Sequence, residues 1–270
     1  MSVLPHTGPR SPSERLYVGV SGLIFAASVA ATIGWGLSMA TMGGMPMAGG
    51  WTMSMGWMPM CGQTWLETAG SFLGMWGVMM IAMMMPALMP MLERYRRSIA
   101  GPPMASLDWL TMLAGLGYFF IWSLLGAILF LAGAGLATAA MASPEVSQAA
   151  PLAGGLVVLA AGALQFTAWK TRQLDRCREM PGRESDRIGT TSSAWNHGLH
   201  IGLQCCLSCA GPMAILIVLG VMDLRAMAVV TMAITGERLA PDGSPIARAT
   251  GAAAIGTGLF LIMRAALGAA

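Results

Sequence analysis

Charge is what this chain has least of. Asp, Glu, Lys and Arg make up 10% of its 270 residues, against about a quarter in a soluble domain. The apolar remainder falls in continuous blocks rather than the short alternating segments of barrel strands. Each block approaches the roughly 20 residues that a helix needs to cross a bilayer. Such spans use up nearly all of the chain and leave no room for a soluble catalytic domain. Walker and dinucleotide-type Gly patterns are missing, as is an Asp phosphorylation site with a domain of its own, which argues against an ATP-driven pump. The histidines number 3, too few for a multi-histidine haem or oxidase centre. No internal repeat marks a transporter built from inverted halves. The expectation is a non-enzyme.

Where charge does occur, it is asymmetric. Arg10 and Arg15 precede the first apolar block; Arg94, Arg96 and Arg97 follow the second. Lys170, Arg172, Arg176, Arg178, Arg183 and Arg187 follow the fourth, and Arg238 and Arg248 flank the last short loop. Residues 39–66 and 137–150 contain neither Lys nor Arg. By the positive-inside rule, residues 1–15 form a cytoplasmic N-terminal tail and 170–196 a basic cytoplasmic loop, while 39–66 is extracytoplasmic. Beside a span, the 170–187 run reads as a topology signal rather than a nucleic-acid patch, so the expected partner is the lipid bilayer and no nucleic acid. No small-residue cleavage site follows a short apolar core, so the first block reads as a retained span. The predicted fold is all-α, a polytopic transmembrane helical bundle of about six or seven spans with its N-terminus cytoplasmic. It forms a single domain over 16–267, in a bacterial inner (cytoplasmic) membrane. The spans are placed at 16–38, 68–91, 108–136, 151–169, 198–220, about 224–238 and about 246–267. Small residues crowd several of them, which permits close helix contact.

What the chain has in excess is methionine, 26 in all. The segment 39–60 carries Met39, Met42, Met45, Met47, Met53, Met55, Met58 and Met60, and the span that follows carries Met75, Met79, Met80, Met83, Met84, Met85, Met89 and Met91. A thioether is soft and uncharged and favours Cu(I) over Zn(II), Mg(II) or Ca(II), although methionine also fills cores. The segment 39–60 is rich in Gly and Pro. It reads as a flexible loop able to wrap two or three sulfurs around one Cu(I), with Met42, Met45, Met47, Met53 and Met55 as the candidate capture ligands. Cys61 follows it.

Cysteine is scarce, 5 in all, yet Cys205, Cys206 and Cys209 sit together in HGLHIGLQCCLSCAGPM. At about 100° per residue Cys205 and Cys209 share one helical face, Met213 continues the stripe and Cys206 lies on its flank. His197 lies two turns below Cys205 and roughly 80° round; His200 points nearly opposite Cys209. Three thiols within five residues point to soft-metal or redox chemistry. The methionines of the second span repeat every four residues, with Met79 and Met83 on one row and Met80 and Met84 on a parallel one. Counted from the basic ends, Met83 and Cys205 both lie roughly 15 Å deep. Packing of these two spans therefore brings thioethers and thiols to one level. Cys177 reads as a reduced cytoplasmic thiol, and Asp223 and Glu237 as hydrated groups at span ends.

Four segments in order, WGVMMIAMMMPALMPMLERY, KTRQLDRCREMP, HGLHIGLQCCLSCAGPM with LGVMDLRAMAVV, and GERLAP, resemble a family of predicted metal-binding integral membrane proteins. That family includes a membrane copper chaperone for bacterial tyrosinase. The departures are Ser208 and Ala210 where the commoner pattern has Cys and Trp, an added Cys206, and Asp223 in place of Asn. The resemblance implies copper handling for a copper-requiring client enzyme, membrane or extracytoplasmic. Joined to the residue reading, it predicts a Cu(I) chaperone whose metal ligands come from Cys205, Cys206, Cys209, Met213, His197, Met79, Met80, Met83 and Met84, fed by the loop methionines. A passive copper transporter or exporter and a membrane thiol-redox protein are the alternatives.

Overall fold

The computed structural model describes residues 12–59, 62–99, 104–179, 190–221, 223–240 and 242–268. Among these, α1 spans Pro12–Met42, α2 Trp65–Ser98, α3 Met104–Ala142 and α4 Pro144–Leu164. They are followed by α5 at Ala168–Glu179, α6 at Thr191–Leu219, α7 at Leu224–Leu239 and α8 at Ser244–Gly268. Six of the helices, α1 to α4, α6 and α8, are long and apolar enough to cross a membrane. α7, with 16 residues, is not. Large apolar side chains line the outside of the bundle, among them Leu23, Leu131, Phe260 and Leu267, as a lipid-facing surface requires.

Helix ends follow local chemistry. Thr64 and Glu67 form a reciprocal capping box at the start of α2, which satisfies two donors that the first turn leaves open. Asp223 caps α7, accepting from the backbone N–H of Arg225 at 2.8 Å and of Ala226 at 3.1 Å. The carboxylate singled out in the sequence as a hydrated end group is thus a helix cap.

Glycine sets the closest approaches, where a Cβ would meet a neighbouring backbone or ring. On α6, Gly198 lies against the Ala114 carbonyl of α3, and Gly202 would place a Cβ 2.9 Å from the Tyr118 carbonyl. Gly155 and Gly162 of α4 and Gly251 and Gly258 of α8 make a second close pair of helices. Gly126 of α3 seats the Trp76 ring, whose N–H donates to the Trp122 carbonyl at 2.8 Å. The small residues noted in the sequence therefore work as packing faces. The main core lies between α2, α3 and α6 and contains Met79, Met80, Met83, Met84, Cys205, Cys209 and Met213.

Two segments differ from the sequence expectation. Residues 44–54, read as part of a flexible loop, form an antiparallel hairpin of β1 (Gly44–Met47) and β2 (Trp51–Ser54). Gly49 and Gly50 take positive φ in its turn, the conformation that glycine adopts without steric cost. The hairpin is docked as well: the Trp51 indole donates to the Ser147 carbonyl at 2.9 Å, and the Ser147 hydroxyl to the Ala48 carbonyl at 2.7 Å. Pro151 has no N–H, so the Ser147 carbonyl four residues earlier has no donor within α4 and is open to Trp51. The second difference lies in the basic loop, whose first part is helical. α5 packs against α6, carrying Lys170 and Cys177 into the interior.

If Gly198 sets the α3–α6 approach, Gly198→Val in detergent should lower stability by about 1–3 kcal/mol or more through overpacking. Gly70→Ala, where a Cβ meets nothing, should be neutral or stabilise by up to about 1 kcal/mol. Thermal unfolding of the two variants checks this.

Candidate metal centre

The centre is built on α6. Cys205, Cys209 and Met213 are all buried, the stripe that helical spacing places on one face. Cys205 Sγ lies 4.0 Å from Met84 Sδ on α2 and 2.9 Å from the Tyr118 hydroxyl on α3. Cys209 follows Cys205 one turn on along α6, on the same face. Two sulfurs sharing one ion through bonds of about 2.3 Å, the length found for thiolate on zinc, would stand about 4 Å apart. The Cys205–Met84 pair already has that separation. Met79, Met80 and Met83 are buried in the same core. Among the described residues no three of His, Cys, Asp and Glu are grouped as a metal site would need. The side chains that meet here are thiols and thioethers, a kind of donor that copper(I) favours.

A polar cluster sits directly behind the thiols, and its origin is one residue. Pro212 removes the N–H that would bond the Ser208 carbonyl inside α6. Lys170 of α5 donates to that carbonyl at 2.6 Å and, with the same ammonium, to Glu237 Oε2 of α7 at 2.6 Å. The Gln165 amide donates to the other Glu237 oxygen at 3.2 Å. Both members of the ion pair are almost wholly buried, at 3% and 2% side-chain exposure. Glu237, expected to be hydrated at a span end, is therefore an interior residue. Lys170 likewise leaves the loop charge count and enters the core.

Arg238, next along α7, reaches the thiols. Its Nη2 donates to the Ser208 hydroxyl at 2.6 Å and to Cys209 Sγ at 3.4 Å. The Ser208 hydroxyl lies 3.8 Å from Cys209 Sγ and donates to the Cys205 carbonyl at 3.0 Å. Cys177 Sγ donates to the Gln204 carbonyl and the Ser208 hydroxyl, each at 3.6 Å, so a third buried thiol joins the cluster from α5.

Other sequence candidates lie elsewhere. His197 stacks on Tyr95 with ring centroids 4.4 Å apart, eight residues from Cys205 and so about 12 Å away along the helix. The structure does not bring it to the sulfurs. Cys206 is half-buried at the edge of the core. In the hairpin Met45 stands opposite Met53, and Met47 opposite Trp51; Met53 is buried. Met42 ends α1 and Met55 opens a short 3-10 turn, their side chains outside the described residues, as is Cys61 altogether.

Residues 73–261 match the model of the PpoB2 copper chaperone family. The chain belongs to this copper chaperone family. Neither curated proteins nor solved structures yield a match. The family stretch contains α2 from Leu73 onward, the α6 thiols and the Lys170–Glu237–Arg238 cluster, while α1 and the hairpin precede it. The sequence reading did not identify Tyr118, Lys170, Cys177, Ser208, Glu237 or Arg238 as parts of one centre. A signal for Ser208 was present in Pro212, four residues on. Lys170, Cys177, Glu237 and Arg238 lay in the segments with family likeness, but Tyr118 had no local mark.

Removing one member of a buried ion pair leaves the other charge uncompensated and costs about 3–5 kcal/mol. Lys170→Met should therefore destabilise by that order, and Lys170→Met with Glu237→Met should recover only part of the loss, because the Ser208 carbonyl then lacks its donor. Denaturant unfolding of the purified variants tests it. A single variant as stable as wild type would show that the pair is not needed.

Proposed function

We propose that the protein is a multi-pass inner-membrane Cu(I) chaperone that holds copper among the sulfurs of α2 and α6 and hands it to a copper-requiring client enzyme, membrane or extracytoplasmic. The observation that carries this reading is the buried contact between Cys205 Sγ and Met84 Sδ, with Cys209 beside it and Arg238 against Cys209. Cys205 and Cys209 are the principal ligands. Met84 is the nearest thioether, and Met79, Met80, Met83 and Met213 are the further donors within the same core. Two thiolates on Cu(I) leave one negative charge, and Arg238 supplies the balancing positive charge in a site where an unpaired ion would be costly. Release by exchange among soft sulfurs needs no hydrolysis and no change of oxidation state, in keeping with a non-enzyme.

The orientation follows from charge. The hairpin end of the bundle has no Lys or Arg between residues 39 and 66 or between 137 and 150, and the end bearing Arg94, Arg96 and Arg97 is basic. The hairpin then faces outward and the N-terminal tail is cytoplasmic. The outward thioethers Met42, Met45, Met47, Met53 and Met55 collect copper from that side.

The test is anaerobic Cu(I) titration of the purified protein against a chromophoric chelator. Cys205→Ser/Cys209→Ser should lose the tightest ion, and Met84→Leu should weaken it by about tenfold, or about 1.4 kcal/mol. Unchanged stoichiometry and affinity in the double serine variant would overturn the site. Reconstituted vesicles should show binding without net Cu(I) flux; a sustained flux would instead mark a transporter.

A further inference from the structure

A cavity of about 280 Å³ opens at the hairpin end, and three thioethers from three different elements line it: Met39 of α1, Met53 of β2 and Met75 of α2. Trp57 and Phe72 form part of its wall, and Asp223 stands at its edge. Met75 also borders a second gap, of about 10 Å³, together with Met79 of α2 and Met227 of α7. The methionine row does not stop there. Met79, Met80, Met83 and Met84 are buried one turn after another, and Met84 touches Cys205. Along α2 a rise of 1.5 Å per residue spaces Met75, Met79 and Met83 about 6 Å apart and puts Met84 about 14 Å below Met75.

We infer that the Met39–Met53–Met75 cavity is a loading site for Cu(I), and that Met75, Met79 and Met83, with Met227 beside the first step, pass the ion inward to Cys205 and Cys209. This rests on the copper-chaperone reading above and gives it an entry point. Sequence alone assigned neither Met39, Met75 nor Met227 a ligand role, and it treated the hairpin methionines as a flexible set. The hairpin's register and its anchorage on Ser147 instead fix Met53 over the cavity, opposite Met45.

The chemistry balances at each step. Between thioethers the exchange is neutral, because one uncharged sulfur replaces another and the ion keeps its charge. Only at the thiols does charge change. Each thiol that becomes a thiolate ligand releases one proton to the buffer, so arrival is accompanied by a pH change and by the near-ultraviolet absorption of Cu(I)–thiolate bonds. Gaps of about 6 Å allow handover with small side-chain movements, whereas deletion of one rung leaves about 12 Å to cross.

The experiment uses the full-length protein in detergent, mixed anaerobically with Cu(I) in stopped flow. Met75→Leu is near volume-conserving and should fold. It should slow the rise of thiolate absorbance by about tenfold while its final amplitude stays at the wild-type level. Rates equal to wild type, with the wild-type amplitude, would overturn the path. The cavity is tested separately in Cys205→Ser/Cys209→Ser, which should still bind one weaker Cu(I) with sulfur-only neighbours by X-ray absorption. That ion should be lost on adding Met39→Leu and Met75→Leu. If the serine variant holds no copper, the loading site is wrong. If wild type develops no thiolate band while the serine variant still binds through thioethers, the chaperone centre fails and the loading site stands.

Discussion

A backbone carbonyl inside a membrane helix has no water to bond to, and one that loses its helical donor must be satisfied by the protein. Pro212 creates that situation at Ser208, in the turn that carries the cysteines. Lys170 meets the carbonyl, and a buried ammonium in turn requires a counter-ion, which Glu237 provides. Gln165 takes the remaining carboxylate oxygen. α5 and α7 are thereby tied to α6 at the level of Ser208, next to the turn of the thiols. The placement of Cys177 and Arg238 follows from it, because each sits on a helix that the ion pair holds in position. Pro151 repeats the device on a smaller scale, freeing the Ser147 carbonyl that receives the hairpin's indole. Two prolines thus define where the thiol turn and the hairpin are anchored.

Sulfur and charge divide the work at the centre. The thioethers of α2 fill space around the thiols at no electrostatic cost and stay uncharged in every state. The ammonium of Lys170 and the carboxylate of Glu237 offset each other, so the positive charge that faces Cys209 is that of Arg238. A cationic guanidinium placed behind a dithiol favours ligation of a monovalent soft ion, whose dithiolate complex is anionic. Tyr118 holds Cys205 from the other side. Membership in the copper chaperone family accords with the proposed sulfur ligands, and the geometry adds which residues stand together.

Much of this was legible in the sequence because it depends on period and length. Continuous apolar blocks predicted the bundle of long apolar helices, and counting residues along the second and fifth spans predicted that they would meet near Met83 and Cys205, where the structure has Met84 touching Cys205. The stripe of Cys205, Cys209 and Met213 came from helical spacing alone. What escaped were pairings over long sequence distance: Lys170 and Glu237 are 67 residues apart, and nothing local distinguishes an interior lysine from a loop lysine in a basic run. The hairpin escaped because its Gly-Gly turn and short strands read as flexibility, while the fixing contacts come from α4. His197 was drawn into the ligand set by proximity in sequence, yet its ring has a partner in Tyr95.

The central claim is that copper sits between α2 and α6, bound by thiols and thioether together. Copper X-ray absorption of the Cu(I)-loaded protein, compared with its Met84→Leu variant, addresses it directly. The account predicts a shell made only of sulfur, with a scatterer at thioether distance that is lost or weakened in the variant. A shell with nitrogen or oxygen neighbours, or one identical in the two proteins, would contradict it.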